Sequence, residues 1–572
     1  METKNQNNPY NNNTDPSNPY DNNVPTNNLH NKNVYPNNPY PARPAATASK
    51  PKDTIYTKKL KEHFPFFSIG SALYALFYTF CLYRNTSGIT YPFFVIGTLC
   101  YFFFSMQKLG VPYKKDSIFY IVSVVLLGIS NCLTNSKPLL FMNVCGIFML
   151  TFILMIHTIY MDKNWNFPKY LGAFAQMIGT VLTCVFRPFT DMISYFDAQK
   201  QERNGKKSYI LPILVGISIT IPVLLIMTLL LASADVVFSH MLDNLFSAFN
   251  FATLFGIVFL AIVVFFVSYA VNAALSMKKV KEEVNDHRIF EPVTAIVVTA
   301  ALSALYLIFS MIQILYLFIG NMRLPDGYTY SGYARQGFFQ LLTVCILNLI
   351  IVLVCLYLFR ENMALKIILT VISGCTFIMI LSSALRMVMY INCYNLTFLR
   401  ILVLWALAVI FLLMTGVTLF IYIDKFPLFI YSTTIVTVFY IGLSFAHPDY
   451  WIEKYNLDPA HFDYLDDYDR YDNKGYLISL SADAAPILLN EETNPYLCQN
   501  IISDINAGEV IRNWDIVTKY EHVSYETTEK LKDAAEELSW LHWYYNKVDN
   551  LSKNMHVRNF NFSIYTAGRY IK

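Results

Sequence analysis

The stretch "GFFQLLTVCILNLIIVLVCLYL", Gly337–Leu358, decides how the rest of the chain is read. It holds no charged residue, and as a helix it reaches about 30 Å, the thickness of a bilayer's hydrocarbon core. Ten further runs of similar character predict helices at Phe66–Tyr83, Thr90–Met106, Ser117–Leu133, Pro138–Tyr160, Tyr209–Ala232, Ala252–Leu275, Pro292–Ile319, Met363–Leu385, Phe398–Ile423 and Pro427–Phe445. The 572 residues are 55% hydrophobic and 15% charged, with mean hydropathy +0.37. That excludes an ordinary water-soluble globule. The expected class is all-α: a polytopic transmembrane bundle of about eleven helices in the cell membrane, with the bilayer as its first partner.

The net charge of +3 hides an asymmetry. Residues 446–572 carry 21 Asp/Glu against 12 Lys/Arg, and the rest of the chain carries 31 Lys/Arg against 19 Asp/Glu. Lys50, Lys52, Lys58 and Lys59 precede the first predicted span, and Lys108, Lys114 and Lys115 follow the second. Lys200, Arg203, Lys206 and Lys207 precede the fifth, and Lys278, Lys279, Lys281 and Arg288 follow the sixth. Alternate connections are nearly free of Lys and Arg, so the positive-inside rule places the N-terminus in the cytoplasm and residues 446–572 outside. Lys169–Phe186, broken by Gln176 and Gly179, reads as interfacial. The phenylalanines beyond it recur at helical spacing beside Lys200 and Arg203, as in an amphipathic helix on an anionic leaflet.

Residues 1–60 repeat Asn-Pro-Tyr at Asn8, Asn18 and Asn38 and offer almost nothing to bury, so they read as a disordered cytoplasmic tail. No signal-peptide pattern precedes the first apolar run, which then serves as its own insertion signal. Nine of ten cysteines fall in the membrane region, where Cys fills space, and only Cys498 lies in the segment 446–572. That segment reads as a small, mainly helical extracytoplasmic domain.

Catalytic and metal signatures are missing: no H-E-x-x-H, G-x-S-x-G, paired C-x-x-C or dinucleotide glycine fingerprint is present. His447 and His461 flank Asp449 and Glu453, yet fourteen residues separate the histidines. The Asp463–Asp472 run lacks the glycine and closing Glu of a calcium loop. No metal, cofactor or nucleic-acid partner is expected.

What carries chemistry is a set of polar residues at the predicted outer boundary. Arg335 opens the eighth span, Arg386 closes the ninth, Arg400 lies in the first turn of the tenth, and Asp235 follows the fifth. Charge at membrane depth is costly, about 2.5–3.5 kcal/mol for Arg at mid-bilayer. The bland account is that the arginines snorkel to headgroups and cap helix ends. The sharper one adds Tyr390, one turn after Arg386, with Gln336 and Gln340, and assembles an outward-facing cationic cavity for an anionic ligand or lipid head group. Asn348, deeper in the same span, reads as an interhelical hydrogen bond.

"ASADVVF", "YARQGFFQLLTVCILNLI", "YNLTFLRILVL" and "GYLISLSADAAPIL" resemble blocks of the bacterial multi-pass proteins catalogued as domain of unknown function forty-one seventy-three, related to the forty-one fifty-three group. The resemblance runs from about Pro65 to the C-terminus and implies a bacterial envelope protein without naming a substrate. Gln336 stands where that pattern leads one to expect an acidic residue. Three functions remain open: a non-enzymatic envelope protein that senses or organises, a transporter of an anionic solute or lipid, and a membrane enzyme using Asp235 as base on an anionic lipid head group.

Overall fold

A computed structural model describes residues 53–202, 230–245, 251–315, 337–458, 475–490 and 543–571, apart from gaps at 164, 284–287 and 424–425, with a few positions between 216 and 228 and at 461. The Asn-Pro-Tyr tail, most of the predicted span 209–232, Cys498, Arg335 and Gln336 lie outside the described residues.

The described chain is helical, and its one β-type contact is a bridge between Phe290 and Phe359. A short α1, Ile55–Glu62, leads into α2, Phe64–Leu82, then α3, Thr90–Leu109, α4, Ile118–Leu133, and α5, Lys137–Ile159. A bent pair follows, α6, Phe167–Cys184, and α7, Arg187–Glu202. Then come α8, Val236–Leu245, α9, Phe251–Met277, α10, Pro292–Gln313, α11, Phe338–Leu358, α12, Met363–Tyr394, α13, Phe398–Tyr422, and α14, Leu428–Phe445. Among the described residues ten helices are long and apolar enough to cross a membrane. Proline in the first turn sets the start of α2, α5, α6 and α10, where its missing N–H costs nothing. The Asn362 side chain accepts from the Ala364 and Leu365 amides to begin α12.

Leu73, Phe141 and Ile308 turn outward, as do large apolar side chains on every span. Exposure on that scale suits hydrocarbon and not water. Inside, one core joins α1 to α7, α9 and α14, and two further cores join α10 to α13, so the bundle has two packed halves.

The helix ends sort onto two faces. On one, Lys114 Nζ donates to the Tyr160 carbonyl (2.6 Å) and to that of His157, Trp165 Nε1 donates to the Glu282 carbonyl (3.1 Å), and Arg288 pairs with Glu361. The basic connections therefore share one end. The bent pair belongs to it too. Lys169 Nζ reaches the Glu283 carbonyl and the Cys184 thiol reaches Met277, so α6 passes across the end of α9 instead of running along it. After a 62° bend, α7 starts beside Phe266 and returns to Phe64 at the same face. A pair bent in this way is a broken span or a re-entrant loop, and its contacts run from Glu283 through Phe266 to Phe64.

Two limits shift. α12 continues to Tyr394, past the predicted stop at Leu385, so Arg386 and Tyr390 lie within a 32-residue helix and not at its end. α3 likewise runs to Leu109 and ends at Gly110, whose φ of +84° is the left-handed stop that favours glycine.

The opposite face receives the described part of 446–572. α15, Pro448–Asn456, α16, Ala485–Leu488, the helical residues 543–553 and α17, Phe562–Gly568, bury a small core of their own around Ile452, Leu477, Leu488, Tyr544 and Val548. That core is continuous with the bundle through Leu396, Phe398 and Ile401.

Candidate functional site

The predicted residues fall into separate settings. Arg386 is 8% exposed, and its Nη2 donates to Gln313 Oε1 (3.1 Å), which also accepts from Ser382 Oγ (2.6 Å). A Cβ on Gly337 would stand 2.7 Å from Arg386 Nη1, and Gly337 has φ +103°, so the guanidinium rests against a position that only glycine fills without strain. Arg400 Nη1 donates to the carbonyls of Tyr394 (2.5 Å) and Asn395, and the guanidinium lies 4.3 Å from the Tyr390 ring centre. Arg400 thereby satisfies carbonyls at the end of α12, which have no partner within the helix. The Tyr390 ring also packs on Phe338, 5.8 Å between centres. Arg386, Tyr390 and Arg400 thus line one seam between α11, α12 and α13. Asp235 is exposed and accepts from the Val237 amide (2.8 Å) at the start of α8, and Gln340 is exposed on α11. Among the described residues no contact joins either to the arginines. Asn348 is buried and donates to Thr376 Oγ1 (3.0 Å), the interhelical bond expected of it.

A second constellation forms where the C-terminal segment is seated. Asp483, in "SADAAP", is 6% exposed and accepts from Thr134 Oγ1 (2.5 Å), the Asn135 amide (3.0 Å) and Ser563 Oγ. His447 Nδ1 stands 3.3 Å from its second oxygen. One carboxylate therefore fastens the α4–α5 connection, the start of α15, the turn before α16 and α17. Asn561 repeats the device with an amide: its Nδ2 donates to the carbonyls of Ser87 and Thr134 (both 2.9 Å), while its Oδ1 caps α17 at the Ile564 amide. The Ile89 amide donates to the Phe560 carbonyl (2.7 Å), and Asn456 exchanges two hydrogen bonds with the Leu396 backbone.

Beside Asp483 opens a cleft of about 530 Å³ lined by Leu133, Phe445, His447, Trp451, Asp483 and Phe562, among others. His447 takes φ +47°, a left-handed backbone uncommon outside glycine. Its hydrogen bond to Asp483 raises the imidazole pKa above the ordinary value. Behind it, burial raises the Asp449 carboxyl, which accepts from the Ser481 amide (3.2 Å). Glu453 is 0% exposed, neither of its oxygens has a hydrogen-bond partner among the described residues, and burial raises its pKa well above normal, which favours the neutral acid.

His447 and His461, the two histidines that flank Asp449 and Glu453, have different partners. His461 stacks on Tyr455, 4.1 Å between ring centres, while His447 turns to Asp483. Among the described residues no three His, Cys, Asp or Glu side chains gather as a metal site would require. The signal for Asp483 lay in its neighbours: a carboxylate between Ala482, Ala484 and Ala485, just ahead of "PILL", sits among residues that form core.

Fold and site together define a multi-pass α-helical membrane protein whose C-terminal segment is fastened to one end of the bundle. Residues 121–491 match the family described as Domain of unknown function (DUF4153), and the chain belongs to that family. The matched span includes Thr134, Arg386, Arg400, His447 and Asp483 and stops short of Asn561 and Ser563. No curated protein and no solved structure matches the chain.

Proposed function

We propose that this chain is a non-enzymatic protein of the bacterial cell envelope that senses or organises by binding a ligand at the end of the bundle where the C-terminal segment is seated, and that this end faces away from the cytoplasm. The observation that carries the reading is Asp483, which spends a buried charge on fastening three distant parts of the chain around a cleft. The gathering of the basic connections on the opposite face supports the orientation. The enzyme reading is weaker, because Asp235, the base it required, caps its own helix. Within the family we place the chain nearest the forty-one seventy-three group, on the Tyr333–Arg335 block.

Cysteines placed at Val557 on the seated segment (89% exposed) and at Met161 on the basic face (78% exposed) test the orientation. An impermeant thiol reagent is expected to label Val557→Cys in intact cells and Met161→Cys only after lysis, and the reverse pattern overturns it. Untargeted lipid and metabolite profiles of a deletion strain test the absence of catalysis. An accumulated substrate with a depleted product reinstates the enzyme.

A further inference from the structure

We infer that the cleft beside Asp483 is itself the ligand site and that it receives the phosphate of an anionic phospholipid, with His447 as the donor. The inference rests on the binding function proposed above and names its ligand class.

His447 lines the cleft and commits Nδ1 to a buried carboxylate, which fixes the ring's orientation and leaves Nε2 as the nitrogen with no hydrogen bond among the described residues. Asp483 is already engaged by Thr134, Asn135 and Ser563, so its charge is shared among four donors and the imidazole is steadied as a cation. Behind the ring, Asp449 and Glu453 are buried in positions that favour their neutral forms, so they add little repulsion toward an arriving anion. Lys547, anchored on the carbonyls of Ile478, Ser479 and Leu480, and Lys137, which opens α5, add positive charge at this end.

The cleft's walls select for a tail. Leu133 and Phe445 are the last residues of α4 and α14, so the floor lies where two spans leave the bilayer. Phe562 and the half-exposed Trp451 continue the apolar surface outward, and Trp is at home at that level. A polar head held at one point and a hydrocarbon wall leading to the membrane describe an amphiphile. A volume of about 530 Å³ suits a head group with the first part of its chains. A free phosphate would use the histidine and leave the wall idle.

The test uses the purified full chain in neutral detergent, titrated with dioctanoyl phosphatidylglycerol, dioctanoyl phosphatidylcholine and inorganic phosphate. Phosphatidylglycerol is expected to bind about ten-fold more tightly than phosphatidylcholine, and His447→Gln to lose about that factor, one hydrogen bond between charged groups. His447→Arg is expected to keep it. Equal affinity for the two lipids, or a His447→Gln variant that binds as the parent does, overturns the inference. Inorganic phosphate binding as tightly as phosphatidylglycerol overturns the lipid assignment in favour of a soluble oxyanion. Should His447→Gln fail to fold, Thr566→Cys at the cleft's rim replaces it. Phosphatidylglycerol is expected to slow its reaction with a thiol reagent where phosphatidylcholine does not, and no protection overturns the site. Failure of these titrations with Val557→Cys still labelled from outside removes the ligand and leaves the orientation standing. Labelling only after lysis does the opposite.

Discussion

Arg386 and Asp483 are both charged groups buried toward the same end of the bundle, and they do different work there. Arg386 is held by Gln313 and packs against Gly337, so it joins α10, α11 and α12 within one packed half. Asp483 holds residues 134, 135, 447 and 563, which belong to the other half and to two further parts of the C-terminal segment. The first charge locks neighbours along adjacent helices, whereas the second joins segments distant in the sequence into one surface.

The contrast breaks first at Asp483. Asp483→Ala leaves Thr134, Asn135 and Ser563 without their acceptor, and removing one partner of a buried charged network costs about 3–5 kcal/mol. The expected outcome is a fall in protein abundance together with faster proteolysis within 446–572, while fragments containing the spans persist. Asp483→Asn, which keeps the shape and one acceptor, should lie between. A normal proteolytic pattern in the alanine variant would mean that the seat is held by its apolar core and by the bonds of Asn561, Phe560 and Asn456, without need of Asp483.

Gly337 and Arg386 come next. Gly337→Ala meets Arg386 Nη1 and a backbone at φ +103°, a strain of about 1–3 kcal/mol. Arg386→Ala strands Gln313 with Ser382 as its remaining described donor, at about the same cost. Because the two positions share one contact, the double variant should be less destabilised than the sum of the singles. Thermal unfolding of the four proteins measures this. Strict additivity would show that the guanidinium does not rest on Gly337.

Arg386 was legible in the sequence and Asp483 was not, for a physical reason. A guanidinium inside an apolar run is anomalous wherever the run folds, since lipid offers it nothing. A carboxylate in a short polar turn is ordinary until distant chain covers it, and only tertiary structure records that Thr134 and Ser563 do so. The spans were equally legible, because length and apolarity are local properties. The bend between α6 and α7 was legible only as a weakness in the pattern at Gln176 and Gly179. Gln313 was invisible as a partner, since a lone amide near the end of an apolar run looks like a helix boundary.

The seat should also respond to pH, and the sign is fixed by three groups that agree. Glu453 and Asp449 have carboxyl pKa values raised by burial, and that of His447 is raised by Asp483. A raised pKa in the fold means that the contribution to stability is complete below the unfolded-state value. It is lost as pH rises through the folded one. Stability of the seat should therefore fall from acidic toward alkaline pH. Glu453→Gln, which keeps the volume and cannot ionise, should flatten that fall and raise the unfolding temperature on the alkaline side. An identical pH profile for Glu453→Gln and the parent would show that Glu453 does not carry the dependence.

The smallest effect is expected where a buried polar group carries no charge. Asn348 and Thr376 link α11 to α12 through one hydrogen bond inside the membrane, and such bonds average about 0.6 kcal/mol in double-mutant cycles. The modest value follows from the unfolded reference state, which also finds partners for an amide in a bilayer. Asn348 Oδ1 has no hydrogen-bond partner among the described residues, so Asn348→Leu removes a poorly satisfied group along with the bond. The substitution should be nearly neutral in thermal unfolding, and Asn348→Leu combined with Thr376→Val should show a coupling near that average. A coupling several times larger, or a loss of function at unchanged stability, would place Asn348 beside Asp483 as a group kept for its chemistry. The line between charges that fasten and amides that merely fit would then have to be redrawn inside the membrane.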